Sequence, residues 1–152
     1  MAPSKGCLPA AVKFLATRDH SEQELRRKLG RSYDREEIDA AVAVLKARGY
    51  LDDAALTRRL AAKYIEEGQY GRLGIRARLE GRGLPPAAVD AALEEFTDTR
   101  ECELAVALIG RRFPQATAAD IPKAGRFLAA RGFAADTITT ALGRVFGYFG
   151  ND

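Results

Sequence analysis

Apolar positions along this chain fall at helical spacing, and the punctuation between them is that of short helices joined by tight turns. From Arg35 to Arg48, Ile38, Ala41, Val42 and Leu45 follow i, i+3, i+4, i+7, the stripe of a helix with one buried face. Asp34 and Glu37 have capping-box spacing at its start, and Gly49 supplies a left-handed stop. Asp52 is placed to open the next helix, whose inward face is Leu56, Leu60, Tyr64 and Ile65. Pro85 and Pro86 suit the first turn of the helix carrying Val89 and Leu93, where a missing N–H costs nothing. A long helix starts near Thr99 and ends at Phe113 and Pro114, and a loop is expected from Gln115 to Ala119.

The same pattern returns at an interval of about fifty residues. Leu25 and Leu29 reappear as Ile75 and Leu79, and Leu29 and Leu79 are followed by Leu128. The opening residues Ser21, Gly71 and Asp120 shift in step, and all three are N-cap types. A turn follows each of these helices, with Gly30 in the first, Gly81 and Gly83 in the second and Gly132 in the third. The next helices then read IDAAV, VDAAL and ITTAL. Units this small must stack to bury their apolar faces, so the chain is expected to be an all-α extended body. The boundaries expected are an arm over residues 1–8 and three-helix units over 9–52, 53–97 and 98–149.

Composition narrows the class. The 152 residues are 47% hydrophobic and 30% charged, with no apolar run of membrane-spanning length, so a cytoplasmic protein is expected. Cys7 and Cys102 lie far apart without metal-ligand neighbours and read as reduced thiols, and no metal or cofactor is expected. No Walker-type loop, nucleophile elbow, H-E-x-x-H or GxGxxG is present. His20, the single histidine, reads as a structural or contact residue, and the pair Asp52 and Asp53 as a cap with a first-turn acid. Phe127, Phe133, Phe146, Tyr148 and Phe149 read as core and not as a base-stacking platform.

The net charge of +3 permits a polyanionic partner without demanding one. Its distribution is more informative. Arg26, Arg27, Lys28 and Arg31 lie on the first unit's middle helix and turn, Arg72, Arg76, Arg78 and Arg82 on the second's, and Lys123, Arg126 and Arg131 on the third's. Acids such as Glu36, Glu37, Asp39, Glu66, Glu67, Asp90, Glu94 and Glu95 sit on neighbouring helices, which is expected to separate the two signs across the body. A repeated basic face suits a partner that is itself periodic and acidic. A competing reading is a sequence-specific helix-turn-helix DNA-binding protein. Against it, the sole Asn is Asn151, and Gln23, Gln69 and Gln115 do not cluster. A hidden hydrolase is disfavoured because no acids converge in the sequence.

The runs RDHSEQELRRKL (Arg18 to Leu29), ARGYLDD (Ala47 to Asp53) and LEGRGLPPAAVDAAL (Leu79 to Leu93) resemble the RecX family of bacterial regulators of the RecA recombinase. The resemblance covers nearly the whole chain, with FLAARGF (Phe127 to Phe133) the weaker segment. It implies three tandem three-helix repeats in an elongated, curved right-handed array. It also implies a monomer without enzyme activity that binds along the RecA filament on single-stranded DNA. There such proteins lower ATP hydrolysis and strand exchange and limit filament growth, in recombination and the SOS response. One departure is that the third unit has only Lys123 and Arg126 where family members often carry more lysines.

Overall fold

The computed structural model describes residues 6–147, and among them the chain is helical throughout, without a strand. The first unit comprises α1 (Cys7–Thr17), α2 (Glu22–Leu29) and α3 (Arg35–Ala47). The second comprises α4 (Asp53–Glu67), α5 (Arg72–Gly81) and α6 (Pro86–Leu93), and the third α7 (Asp98–Arg112), α8 (Ile121–Ala130) and α9 (Ala135–Phe146). Helix α1 starts at Cys7, so Cys7 and Leu8 belong to the first helix and not to the arm expected over 1–8. Residues 1–5 of that arm, with Tyr148, Phe149 and Asn151, lie outside the described residues. The expected loop from Gln115 to Ala119 ends in a 3-10 turn, Ala118–Asp120, and the Asp120 carboxylate accepts the Thr117 N–H instead of capping α8.

Helix ends are written into the sequence. Ser21 Oγ accepts the Glu24 N–H at 3.1 Å and the Glu24 carboxylate accepts the Ser21 N–H at 2.9 Å, a closed capping box. Asp34 and Glu37 do the same for α3, and Asp52 and Thr97 cap α4 and α7. Each such cap contributes about 1 kcal/mol. Gly49 sits at φ +76° after α3, the conformation that closes the turn from Leu45 to Leu51.

Within each unit the first and third helices pack side by side and the middle helix closes the third side. Each unit holds its own apolar cluster around the fully buried Leu25 and Leu29, Ile75 and Leu79, or Leu128. Burying a leucine of this kind contributes about 2 kcal/mol. Leu104 packs against the clusters of both the second and third units. Among the described residues no helix is long and apolar enough to cross a membrane.

Contact between the last two units is close enough to require glycine. Gly74 N–H donates to Gly132 O at 3.2 Å, and Gly71 N–H donates to Arg131 O at 2.9 Å. A Cβ on Gly74 would lie 2.6 Å from the Arg131 carbonyl oxygen, a backbone atom that cannot swing aside. Substituting Gly74→Ala is expected to cost about 1–3 kcal/mol in urea unfolding, by wedging the third unit off the second. The control Gly81→Ala, at the end of the same helix with nothing within 4 Å of its added Cβ, is expected to be neutral or stabilising by up to about 1 kcal/mol.

Candidate functional site

The basic residues divide by what they touch. Helix α2 presents its N-terminus to the second unit, and Arg82, in the turn after α5, receives it. Arg82 donates from Nε and Nη2 to the two Glu24 carboxylate oxygens at 3.1 and 3.0 Å, and from Nη2 to Asp19 O at 3.0 Å. Ser21 Oγ donates to the Arg82 carbonyl oxygen, and the Glu22 N–H donates to Asp53 Oδ1 at 2.9 Å. Asp53 is therefore the acid that satisfies an orphan amide of the preceding unit's helix, while Asp52 alone caps α4. Burial pushes the Asp53 carboxyl up from its ordinary value, with Glu22 and Asp52 adding to the rise and the Glu22 amide opposing it. Burial also acts to raise Glu24, but the Arg82 fork and the Ser21 amide outweigh it and bring the carboxyl down to about 2.

The second joint repeats the first. Arg131, in the turn after α8, donates to Gln69 O at 3.1 Å and to Gln69 Oε1 at 2.8 Å, and its own carbonyl accepts the Gly71 N–H. Glu101, 1% exposed, accepts the Arg72 N–H at 2.6 Å, as Asp53 accepts that of Glu22. The Arg72 side chain turns back to Phe96 O and to the Asp98 and Glu101 carboxylates. Arg72 and Arg82, both candidate binding residues on the sequence, thus tie adjacent units together.

Arg26 and Arg76 occupy equivalent places, and each pairs with the equivalent acid of its unit's third helix, Asp39 or Asp90. Arg26 pairs with Asp39 at 2.7 Å and with Glu22 at 2.9 Å, while Arg76 pairs with Asp90 and with Glu80. Each pins its unit's middle helix to the third. The expected separation of signs across the body therefore does not occur. Asp39 and Asp90, counted on the acidic side, reach across to the arginines, because residues spaced along facing helices of one unit come within ion-pair distance.

Arg27, Arg31, Lys123 and Arg126 remain exposed and make no ion pair or hydrogen bond among the described residues. Lys28 lies 2.8 Å from His20 Nε2 and 5.2 Å from the Phe14 ring centre. Arg78 lies flat over Tyr70 at 3.5 Å. Sequence reading missed the series that follows from it: Arg131 lies over both Tyr70 and Phe127, Phe127 meets Phe113 edge-on, and Arg112 covers Phe113. The signal for it is the period itself, which carries Phe14 into Tyr64 and Phe113, and Lys28 into Arg78. His20 is buried and satisfied on both ring nitrogens, in keeping with the structural role expected of it. No buried side-chain polar atom lacks a partner among the described residues.

The first joint is expected to weaken in acid through Glu24. Its folded-state value lies below the ordinary 4.5, so its contribution is complete above pH 4.5 and is lost as pH falls toward about 2. Glu24→Gln is expected to remove about 1–3 kcal/mol at neutral pH and to flatten the stability profile across that acid window. Urea unfolding of both proteins between those pH limits measures it.

A family model described as RecX, first three-helix domain, matches residues 7–45. The regulatory protein RecX of Leptothrix cholodnii is 37% identical over 135 residues, covering 87% of this chain and 84% of the relative. That of Escherichia coli (strain SE11) is 37% identical over 145 residues, covering 86% of each. In fold, the crystal structure of RecX from Lactobacillus salivarius superposes with a TM-score of 0.81 at 19% identity, covering 91% of this chain and 94% of that one. A second crystal structure, of regulatory protein RecX, gives 0.75 at 21% identity, covering 86% and 68%. With three helical units and 37% identity to a relative along 84% of that relative's length, the chain belongs to the RecX family of regulatory proteins.

Proposed function

We propose that this chain acts as a cytoplasmic monomer that binds the RecA nucleoprotein filament. By binding, it lowers RecA's ATP hydrolysis and strand exchange and limits filament growth, in recombination and the SOS response. The family assignment supports the class of regulator. The observation that carries the mechanism is the placement of the unpaired cations. Arg27 and Arg31 sit on the first unit and Lys123 and Arg126 on the third, each without an acid, whereas Arg72, Arg76 and Arg82 of the second unit are all committed internally.

Two basic patches are thus held apart by a body whose joints are directional. A filament offers acidic surfaces and DNA phosphates at regular intervals, and two weak contacts at a fixed separation multiply in effect when both can engage together. A ligand of this kind shifts assembly only by the difference in its affinity for free and assembled protomers, so no chemistry is required. Against the helix-turn-helix alternative, Gln23 packs against Gly83 and Gln69 accepts from Arg131.

Inhibition of RecA's DNA-dependent ATPase tests the patches separately. The double variants Arg27→Glu/Arg31→Glu and Lys123→Glu/Arg126→Glu are each expected to need about tenfold or more protein for half inhibition, with helical circular dichroism unchanged, because losing either patch abolishes bivalent engagement. Wild-type inhibition by both variants removes the assignment.

A further inference from the structure

We propose that His20 makes the first joint a proton-sensitive hinge: protonation of its ring loosens the first unit from the second, while the second joint stays closed. The imidazole is 3% exposed and lies in the segment from α1 to α2 that forms the joint. Its neighbours on both sides are joint contacts. Asp19 accepts Arg82 through its carbonyl and Arg59 through its carboxylate, the latter at 2.8 Å, and Ser21 donates to the Arg82 carbonyl. A movement of the His20 backbone therefore displaces the residues that hold the two units together.

The ring has room for one proton only. His20 Nδ1 lies 2.9 Å from the Arg18 carbonyl oxygen, which cannot donate, so Nδ1 carries the hydrogen. Nε2 lies 2.8 Å from the Lys28 ammonium, which cannot accept, so Nε2 is the acceptor. A second proton must go to Nε2. It would break the Lys28 bond and set two cations in contact inside a closed site.

The surrounding charges offer no relief. Arg18 precedes the ring in the chain, Lys28 and Glu24 face it from α2, and Arg82 faces the segment from the second unit. Helix α1 contributes the Phe14 ring, 6.1 Å away centre to centre. Glu24 is the one acid among these groups, and its carboxylate is already shared between Arg82 and the Ser21 amide. Burial accordingly pushes the imidazole below its ordinary 6.5, with Arg18 and Lys28 lowering it further and the Arg18 carbonyl and Glu24 opposing. The sign follows from linkage. The proton prefers the state in which the ring meets water, so the closed joint is complete above pH 6.5 and loses stability as pH falls through the lowered value. In the second joint the equivalent residue is Tyr70, with the Arg78 guanidinium 3.5 Å over its ring, so no imidazole stands there.

His20 is the only histidine in the chain, so its ring proton resonances are unambiguous, and amide exchange reports each joint in the same sample. Between about pH 7.5 and 5.5, a window bracketing the ordinary histidine value, the protection factor of the Glu22 amide is expected to fall several-fold in step with the ring titration. That of Gly74 is expected to hold. His20→Gln is expected to abolish the pH dependence at Glu22. Lys28→Met is expected to raise the ring's midpoint toward its ordinary value and to shrink the loss of Glu22 protection accordingly. Glu22 protection that stays constant through the ring's midpoint, or His20→Gln losing it as the wild type does, overturns the proposal. Should His20→Gln fail to fold, a raised midpoint in Lys28→Met with an undiminished loss of protection overturns it equally.

Discussion

The amides at the start of a helix need acceptors, and in this protein the next unit in the chain supplies them. Helix α2 gives its first N–H to Asp53, and helix α5 gives its first N–H to Glu101. The carbonyls of Arg82 and Arg131 accept from the N-cap residues Ser21 and Gly71, and the same two arginines reach back with their guanidinium groups. A unit of about 45 residues is near the lower limit for a core that holds alone. Its apolar contacts with the next unit are few, Leu104 being the one residue common to two clusters. Apolar contact is non-directional, so hydrogen bonds of defined geometry are what set the angle between units. The rest of the architecture depends on that angle.

Using arginine for this purpose has an electrostatic consequence. Arg72 and Arg82 in the joints, and Arg26 and Arg76 pinned to a third helix, are each paired with an acid, so a periodic sequence of cations does not produce a periodic field. On the middle helices the outward position after Leu25 and Arg26 is Arg27, its counterpart in α5 is Ala77, and its counterpart in α8 is Arg126. At this outward position the second unit thus carries no cation, while its flanking units each carry an arginine. Residues that looked alike in the sequence divide into structural and available sets according to whether an acid on another element reaches them.

Elements and their ends were legible because their causes are local. The Ser21 and Asp34 capping boxes, the Asp52 cap, the Gly49 terminator and the Pro86 start each depend on residues within one turn. The triplication was legible because identical packing needs identical spacing, as in Leu25, Ile75 and the buried Ala124 with Leu128. What could not be read was any partner in a neighbouring unit. Arg82 with Glu24, Arg131 with Gln69 and Arg72 with Glu101 depend on the rotation between units, which no local pattern encodes. Of the ten candidate binding cations, four prove to have acidic partners inside the molecule, and they are the four nearest to a joint or to a third helix.

The same chemistry explains why the joint is made twice and is not repeated on the outward surfaces of the first and third units. In the second and third units the turn after the middle helix is left-handed, with Gly83 at φ +79° and Gly132 at +82°, which exposes the preceding carbonyl to an incoming helix. The first unit has Ser32 at that place, and no residue other than glycine takes a positive φ among the described residues, so its turn has a different shape. At the other extreme, α8 begins with Asp120 in a helical conformation, and the amide of the next residue, Ile121, is already given to Ala118 O in the 3-10 turn. Position 123 is lysine where the first joint has Glu24, so bringing α8 of one molecule to the Arg31 turn of another would oppose two cations. Association by copying the internal joint is therefore disfavoured in shape and in charge, and those same residues, Arg31 and Lys123, stay exposed and without an acid partner among the described residues.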